Sequence, residues 1–252
     1  MSLVEDKLYK TIKNAVGRAI ADFSLIDEGD RIAVAVSGGK DSYALLHILE
    51  ALRKRAPVRF EIVAVNIDSG YPGYRSDIIE RHLGEHGFAH HMEKTNHYGI
   101  IKEKRRPGSS YCSMCARLKR GVLYTLAQQF GCNKLALGHH MDDFVETLLL
   151  NQFFVGSLKA MAAKMLADNG KTTVIRPLVY VEEKHIVNFS AINGFPVVCC
   201  RCPVCGVADL QRKRMKSLLA ELEKENPSVK RSMLRALSNV QPRHLLDTSL
   251  SV

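Results

Sequence analysis

The sequence predicts an α/β fold, a doubly wound parallel sheet, on three observations: apolar runs suited to strands buried on both faces, helical periodicities between them, and a Gly-Gly turn directly after the first run. Ahead of the sheet, Leu8, Ile12, Val16 and Ile20 recur at helical spacing over residues 7–22. Lys7, Lys10 and Arg18 lie on the other side and Lys13 at its edge, so this is an amphipathic helix with a basic face. Residues 31–36 read as the first strand, Leu45, Leu46, Leu49 and Leu52 mark one face of the next helix, and residues 60–67 supply a second strand, completing a βαβ unit. The alternation continues with a helix near 76–87, a short strand around 89–92, a helix from about 116 to 130, a strand at 134–138 and a helix at 143–154. A basic, irregular segment is expected at 102–110. From about residue 196 the character changes to a dense cysteine cluster, a charged helix at 210–225 and a further stretch at 228–237. The expected organisation is an N-terminal helix (1–25), the sheet domain (26–195) and a small Cys-containing, helical C-terminal extension (196–252).

A chain of 252 residues can bury a full core and holds one large domain, or one domain with an appendage. Its formal net charge of +10 favours polyanionic partners, nucleic acid first, although a scattered basic excess is the plainer alternative. The first residues carry no apolar signal core, and no stretch approaches the ~18 uninterrupted apolar residues of a membrane span, so a cytoplasmic protein with no membrane partner is expected. Seven cysteines in a reducing compartment point to metal or sulfur chemistry rather than disulfides.

Ser37-Gly38-Gly39-Lys40-Asp41-Ser42 stands between a strand and a helix. Two glycines let the backbone approach an anion, the helix N-terminus offers N–H groups, and Ser37, Lys40 and Ser42 add hydroxyl and ammonium contacts. It is not a Walker A loop, because the Gly-x-x-x-x-Gly-Lys-Ser/Thr spacing is missing and Asp41 stands where that motif has Ser or Thr. The string resembles the signature of the PP-loop ATP pyrophosphatases, which implies that it holds the pyrophosphate released when the α-phosphate is attacked. Asp68 ends the second strand, where it can meet the nucleotide or its metal, or serve as a turn residue before Ser69-Gly70. Gly138-His139-His140-Met141-Asp142-Asp143 follows a later strand; its paired carboxylates suit Mg²⁺ and equally suit a helix N-cap.

Cys112-x-x-Cys115 and Cys202-x-x-Cys205 are two far-separated pairs, with Cys199 and Cys200 just ahead of the second. A structural zinc ribbon keeps its pairs ~15–20 residues apart, and a thioredoxin-like motif needs no second pair, so spacing leaves zinc and an iron-sulfur cluster both open. Cys132 sits in an apolar-flanked turn and reads as a packing residue.

Taken with the Cys112-x-x-Cys115-x-Arg117-Leu118-Lys119-Arg120-Gly121 block, Ala136-Leu137-Gly138-His139-His140-Met141-Asp142-Asp143, Ile175-Arg176-Pro177-Leu178 and Cys202-Pro203-Val204-Cys205-Gly206, the chain from about Lys7 to Leu246 resembles the tRNA 2-thiocytidine synthetase family. That resemblance implies an adenine nucleotide alpha-hydrolase-like fold, ATP and Mg²⁺, and a 4Fe-4S cluster held by Cys112, Cys115 and Cys202, with Cys205 the rival third ligand. It also implies a tRNA substrate, a cysteine desulfurase or other sulfide donor, and a homodimer. The implied nucleotide site comprises Ser37, Gly38, Gly39, Lys40, Asp41, Ser42, Asp68, Gly138, His139 and Asp142, with Lys40, Lys119 and Asp143 as catalytic groups. Lys119 lies one helical turn beyond Cys115, between cluster and nucleotide. Lys102, Lys104, Arg105, Arg106, Arg212, Lys213, Arg214 and Lys216 are candidates for the tRNA surface. Three alternatives remain: a 2-thiouridine-type thiolase, a zinc-stabilised RNA-binding protein with a nucleotide site, and an amidotransferase-like ligase.

Overall fold

A computed structural model describes residues 3–105, 111–203 and 210–250, so Arg106 and Cys205 lie outside the described residues. The chain forms two compact units, one of Met1–His140 with Ala162–Ala208 and one of Met141–Met161 with Asp209–Val252.

In the first unit, helix α1 (Leu3–Asp22) turns Ile12 and Val16 fully inward, as the periodicity predicts, while Leu8 and Ile20 are half-buried and Ala19 is fully buried beside them. Strand β1 (Asp30–Ala35), helix α2 (Lys40–Arg53), strand β2 (Phe60–Asp68), helix α3 (Ser76–Glu85) and strand β3 (His90–Lys94) then alternate. They are followed by helices α4 (His97–Lys104) and α5 (Tyr111–Gln129) and strand β4 (Lys134–Ala136). Strands β5 (Lys164–Leu166) and β6 (Thr173–Ile175), a 3-10 turn at Pro177–Tyr180 and helix α7 from Glu183 to Ile192 complete the unit.

The sheet order is β3-β2-β1-β4-β6-β5, parallel throughout except for β5, which runs antiparallel on the edge of β6. This is the expected doubly wound sheet with one antiparallel edge strand added. Ala33, Val63, Val65, Leu135 and Val174 form a core with Leu123, Leu126 and Ala127 of α5 on one face. Ile32 and Val34, which point to the other face, are also fully buried. Burial on both faces is why these strands read as continuous apolar runs. Cys132 belongs to the same core, and burial pushes its thiol pKa up, as suits a packing cysteine. The starting ends of β1 and β4 are pinned by a buried charge, with Lys134 Nζ 2.5 Å from Asp30 and 2.8 Å from Asp27.

Two segments differ from the sequence expectation. The stretch before residue 105 is helical rather than irregular, and its start is capped by the Asn96 side chain, which accepts from the Gly99 N–H. Helix α5 begins at Tyr111, ahead of the expected 116, so Cys112 and Cys115 lie in its first turns.

The second unit is helical. Helices α6 (Met141–Leu150), α8 (Leu210–Glu225) and α9 (Val229–Ala236) close around Val145, Leu149, Met215 and Leu219. One π-type turn, Asn151–Val155, extends α6 and ends at Gly156 in the left-handed conformation. Among the described residues no helix is long and apolar enough to cross a membrane.

Glu146 of α6 is buried, and burial pushes its carboxyl up to about 7, with Asp143 and Asp142 adding to the rise and Arg212 and Lys216 opposing it. Between the ordinary 4.5 and about 7 the folded chain therefore holds a proton that the unfolded chain has released. That contribution to stability falls as pH rises through the window. Glu146→Gln is expected to match the parent in thermal unfolding at pH 4.5 and to lose less stability than the parent by pH 7.5, measured on the full chain.

Candidate active site

The phosphate loop crosses from β1 to α2. Gly38 has φ +84°, the left-handed region, and a Cβ there would stand 2.7 Å from Ile79 Cδ1 and 3.2 Å from Val198 Cβ. Any other residue would adopt a strained backbone and press on the Ile79 and Val198 side chains. Gly39 is open: a Cβ would meet only Ser37 Oγ, at 3.5 Å. The first turn of α2 is tied by Ser42 Oγ donating to the Gly39 carbonyl (2.8 Å) and by Gly39 N–H donating to Ser37 Oγ (3.4 Å). The helix start leaves backbone N–H groups and the positive dipole end toward the open side, which is what an anionic polyphosphate needs.

Lys40 Nζ lies 3.0 Å from Asp41 Oδ1 and 3.1 Å from Glu183 Oε1. Burial alone would lower its pKa, but the two carboxylates outweigh that and hold it above its ordinary value. Lys40 is thus a fixed cation at the loop. Glu183, at the start of α7, is a partner that no local pattern in the sequence marks.

Around the loop, Gly138 is required for packing: a Cβ would stand 3.1 Å from the Asp41 carbonyl carbon and 3.2 Å from the Ser42 nitrogen. His140 is buried with Nε2 3.7 Å from Asp41 Oδ1, so of the two histidines it is His140 that faces the loop. His139 Nδ1 accepts from Arg176 Nε at 3.3 Å. Arg176 is buried and its Nη1 donates to the Ala162 carbonyl at 2.6 Å. Asp68 accepts from Gly70 N–H (2.9 Å) and Ser76 Oγ (3.1 Å), closing the turn after β2 and joining it to α3. Asp142 and Asp143 start α6 in the second unit, where Asp142 Oδ1 is 2.8 Å from Lys230 Nζ and Asp143 Oδ1 is 3.4 Å from Arg212 Nη1.

The described cysteines all belong to the first unit. Cys112 and Cys115 are a helical turn apart in the first turns of α5. Tyr71 Oη donates to Cys115 Sγ at 3.4 Å. Burial first, and then the Cys115 and Tyr111 contacts, hold the Tyr71 phenol far above its ordinary value, so it remains a neutral donor. The Tyr111 phenol is raised by burial first, with the Tyr71 hydrogen bond opposing the rise and the Cys115 and Cys202 thiols adding to it. Cys202 Sγ is 3.4 Å from Cys200 Sγ, and none of the described cysteines is in a disulfide. Such a set of partly exposed soft donors suits an iron-sulfur cluster or zinc. Lys119 follows on α5, and buried His97 has its pKa lowered by burial and by Lys119.

The two groups of residues share a backbone link. Val198 N–H donates to the Gly38 carbonyl at 2.9 Å, so the chain leading to Cys199, Cys200 and Cys202 is bonded to the phosphate loop. Tyr74 spans the same gap: its hydroxyl donates to the Ser37 carbonyl (3.3 Å), and Cys200 contributes to raising its pKa, after the larger effect of burial. Tyr71, Tyr74, Tyr111, His97 and Glu183 were all missed by sequence reasoning, since only the fold brings them to the site.

Residues 8–197 match the PP-loop domain family model. A tRNA-cytidine(32) 2-sulfurtransferase of Geobacter metallireducens is 78% identical over 99% of this chain and 97% of its own length. The protein of that name from Geobacter sulfurreducens is 77% identical over the same shares, and that of Pelobacter propionicus is 67% identical over 96% of this chain and 90% of its own. Among solved structures, the U34-tRNA thiolase NcsA from Methanococcus maripaludis with its 4Fe-4S cluster superposes with a TM-score of 0.78 at 22% identity, covering 93% of this chain and 79% of that one; it is a likeness of fold. With a phosphate loop of this type and full-length identity at this level, the chain belongs to the tRNA-cytidine(32) 2-sulfurtransferase family of PP-loop proteins.

Proposed function

We propose that the protein is an ATP-dependent tRNA thiolase that adenylates the 2-oxygen of an anticodon-loop cytidine and replaces that oxygen with sulfur, giving 2-thiocytidine. The observation that carries the reading is the coupling, within one compact unit, of the phosphate loop to the cysteine segment through Gly38 and Val198. An adenylating loop needs no thiols to make an amide, whereas a thiolase needs both.

The cytidine oxygen attacks the ATP α-phosphorus and pyrophosphate leaves. Sulfide then attacks C2, the C–O bond breaks and AMP departs, with no net oxidation. Lys40 and the α2 N-terminus stabilise the charge that develops on the leaving pyrophosphate, while Ser37 and Ser42 hold the loop in shape. Mg²⁺ is assigned to the nucleotide phosphates, with Asp143, and Asp142 beside it, as its carboxylate donors. Asp68 shapes the nucleotide site through the turn after β2, Gly138 through its close approach to the start of α2, and His139, held by Arg176, completes it.

Cys112, Cys115 and Cys202 are the assigned holders of a 4Fe-4S cluster, which when bound supplies an open iron for the incoming sulfide. Tyr71 orients Cys115, and Lys119 stands one turn on to meet substrate. The exposed basic residues Lys102, Lys104, Arg105, Arg117 and Arg120 lie on α4 and α5 or at their ends, and they suit the tRNA backbone beside the cysteines. A single-stranded loop suits a site that must receive one unstacked base. The same reading takes a cysteine desulfurase or other sulfide donor as partner, a cytoplasmic location and a homodimer.

The test is nucleoside mass spectrometry of tRNA from a strain lacking this gene. Loss of 2-thiocytidine, restored by the gene, is expected; its persistence in the deletion strain overturns the assignment. Two variants separate the loop from the thiols. Cys112→Ala is expected to abolish iron-sulfur absorption and thiolation while ATP binding stays intact. Gly38→Ala forces a side chain into the left-handed region at about 1–2 kcal/mol and against Ile79, so ATP affinity is expected to fall about tenfold or more by titration. Lys119→Ala is expected to slow thiolation about 10²–10³-fold with the iron-sulfur spectrum unchanged.

A further inference from the structure

Behind the phosphate loop, where the His47 side chain of α2 meets that of His82 on α3, three histidines that the thiolation reading does not use converge. One nitrogen from each of His47, His82 and His86 lies within 4.8 Å of the others, and His47 Nε2 is 3.0 Å from His82 Nε2. We propose that His47, His82 and His86 form a transition-metal site for a divalent ion of the zinc class, separate from the cysteines, that clamps α2 to α3 beneath the phosphate loop.

The donor chemistry fits. A tetrahedral Zn²⁺ with Zn–N of 2.0–2.1 Å sets its nitrogens about 3.3–3.4 Å apart, close to the His47–His82 separation, and exposed His86 has freedom to swing inward. His82 and His86 are four residues apart at the end of α3, so they share a face, and His47 comes from the neighbouring helix. His86 Nδ1 donates to the His82 carbonyl at 2.8 Å, which leaves Nε2 with its lone pair. A backbone carbonyl on the far nitrogen is the usual way a ligating imidazole is held.

The surroundings complete the site. Phe88 and Phe195 flank His47 with ring centroids 5.1 and 4.8 Å away, and Tyr43 packs edge-on to His82 at 4.8 Å, giving the ligands an apolar shell. His47 and His86 also line a cleft of about 360 Å³ with Tyr9, Glu50 and Lys54. The Glu50 carboxylate is engaged by Arg53 and Lys54, so a fourth coordination position facing this cleft falls to water or a small entering ligand. Ile79, which fills the space under Gly38, is one turn before His82 on α3. Fixing α3 to α2 therefore fixes the floor of the loop.

The experiment uses Zn²⁺ alone, added anaerobically to tag-free full-length protein and read by competition with a chromophoric chelator. Four proteins are compared: the parent, the Cys112→Ser/Cys115→Ser/Cys202→Ser variant, His47→Gln, and His86→Gln, whose exposed position keeps folding out of question. One equivalent of Zn²⁺ is expected to survive in the cysteine variant and to weaken in each histidine variant by at least the about 10- to 100-fold that a lost outer partner costs. Co²⁺ in the cysteine variant is expected to show ligand-field bands without thiolate charge transfer. Equal Zn²⁺ binding by the parent and both histidine variants, or no equivalent left in the cysteine variant, overturns the site and leaves a packed histidine cluster. Neither result bears on 2-thiocytidine formation, so this proposal and the thiolation reading fail separately.

Discussion

The Gly38 carbonyl accepts the Val198 N–H, and much of the first unit is arranged around that one bond. The bond requires a loop pressed flat enough for a second chain segment to reach it. Flatness in turn requires φ +84° at Gly38, Ile79 immediately beneath it, and a residue without Cβ at 138 against the start of α2. Each condition comes from a different element: β1 delivers the loop, α3 the floor, the turn after β4 the wall, and the segment after α7 the strap. Together they hold a phosphate-binding turn and a cysteine-bearing segment in fixed register. Two chemistries that must act on one base in sequence need such a register.

Charge is distributed to match. Lys40 sits between Asp41 and Glu183, a cation whose neighbours keep it charged despite burial. On the thiol side the tuning is by neutral donors: Tyr71 contacts Cys115, and Tyr111 lies between the influence of Cys115 and that of Cys202. The Tyr71 phenol, held well above its ordinary pKa, donates a hydrogen bond to sulfur without adding charge. The cationic groups, Lys119 with exposed Arg117 and Arg120, are carried farther along α5.

What was legible in the chain divides by physical cause. Strands β1 and β2 were readable because burial on both faces writes an unbroken apolar run, and the loop because only glycine tolerates its backbone. Strands β5 and β6 were not: β5 is exposed along its whole length and writes no buried run, β6 is only three residues and half-buried at its start, and the antiparallel sense of β5 has no local signature. The start of α5 was misjudged because Tyr111 to Cys115 show no apolar periodicity, and α4 because its basic end masks a cap at Asn96. Of the site, Ser37 to Ser42 and the cysteine pairs could be named from motif alone. Glu183, Tyr71, Tyr111 and His97 could not, because what makes each important is a neighbour far away in sequence. The histidines at 47, 82 and 86 are a milder case: the second and third show helical spacing, but nothing local points to the first.

Strand β5 bears on how this sheet avoids edge-to-edge pairing with another strand. A sheet of parallel strands ends in a row of open backbone donors and acceptors, a template on which another chain can lay itself. Here that margin is taken by three residues running the opposite way, led by Lys164, whose ammonium reaches the Ser24 carbonyl, with Met165 and Leu166 turned outward. So short a border, with a cation at its head, offers an incoming strand little to pair with. The price is some apolar surface left in water. What it provides is a β-sheet that stops growing at six strands and resists aggregation through that margin while the chain folds.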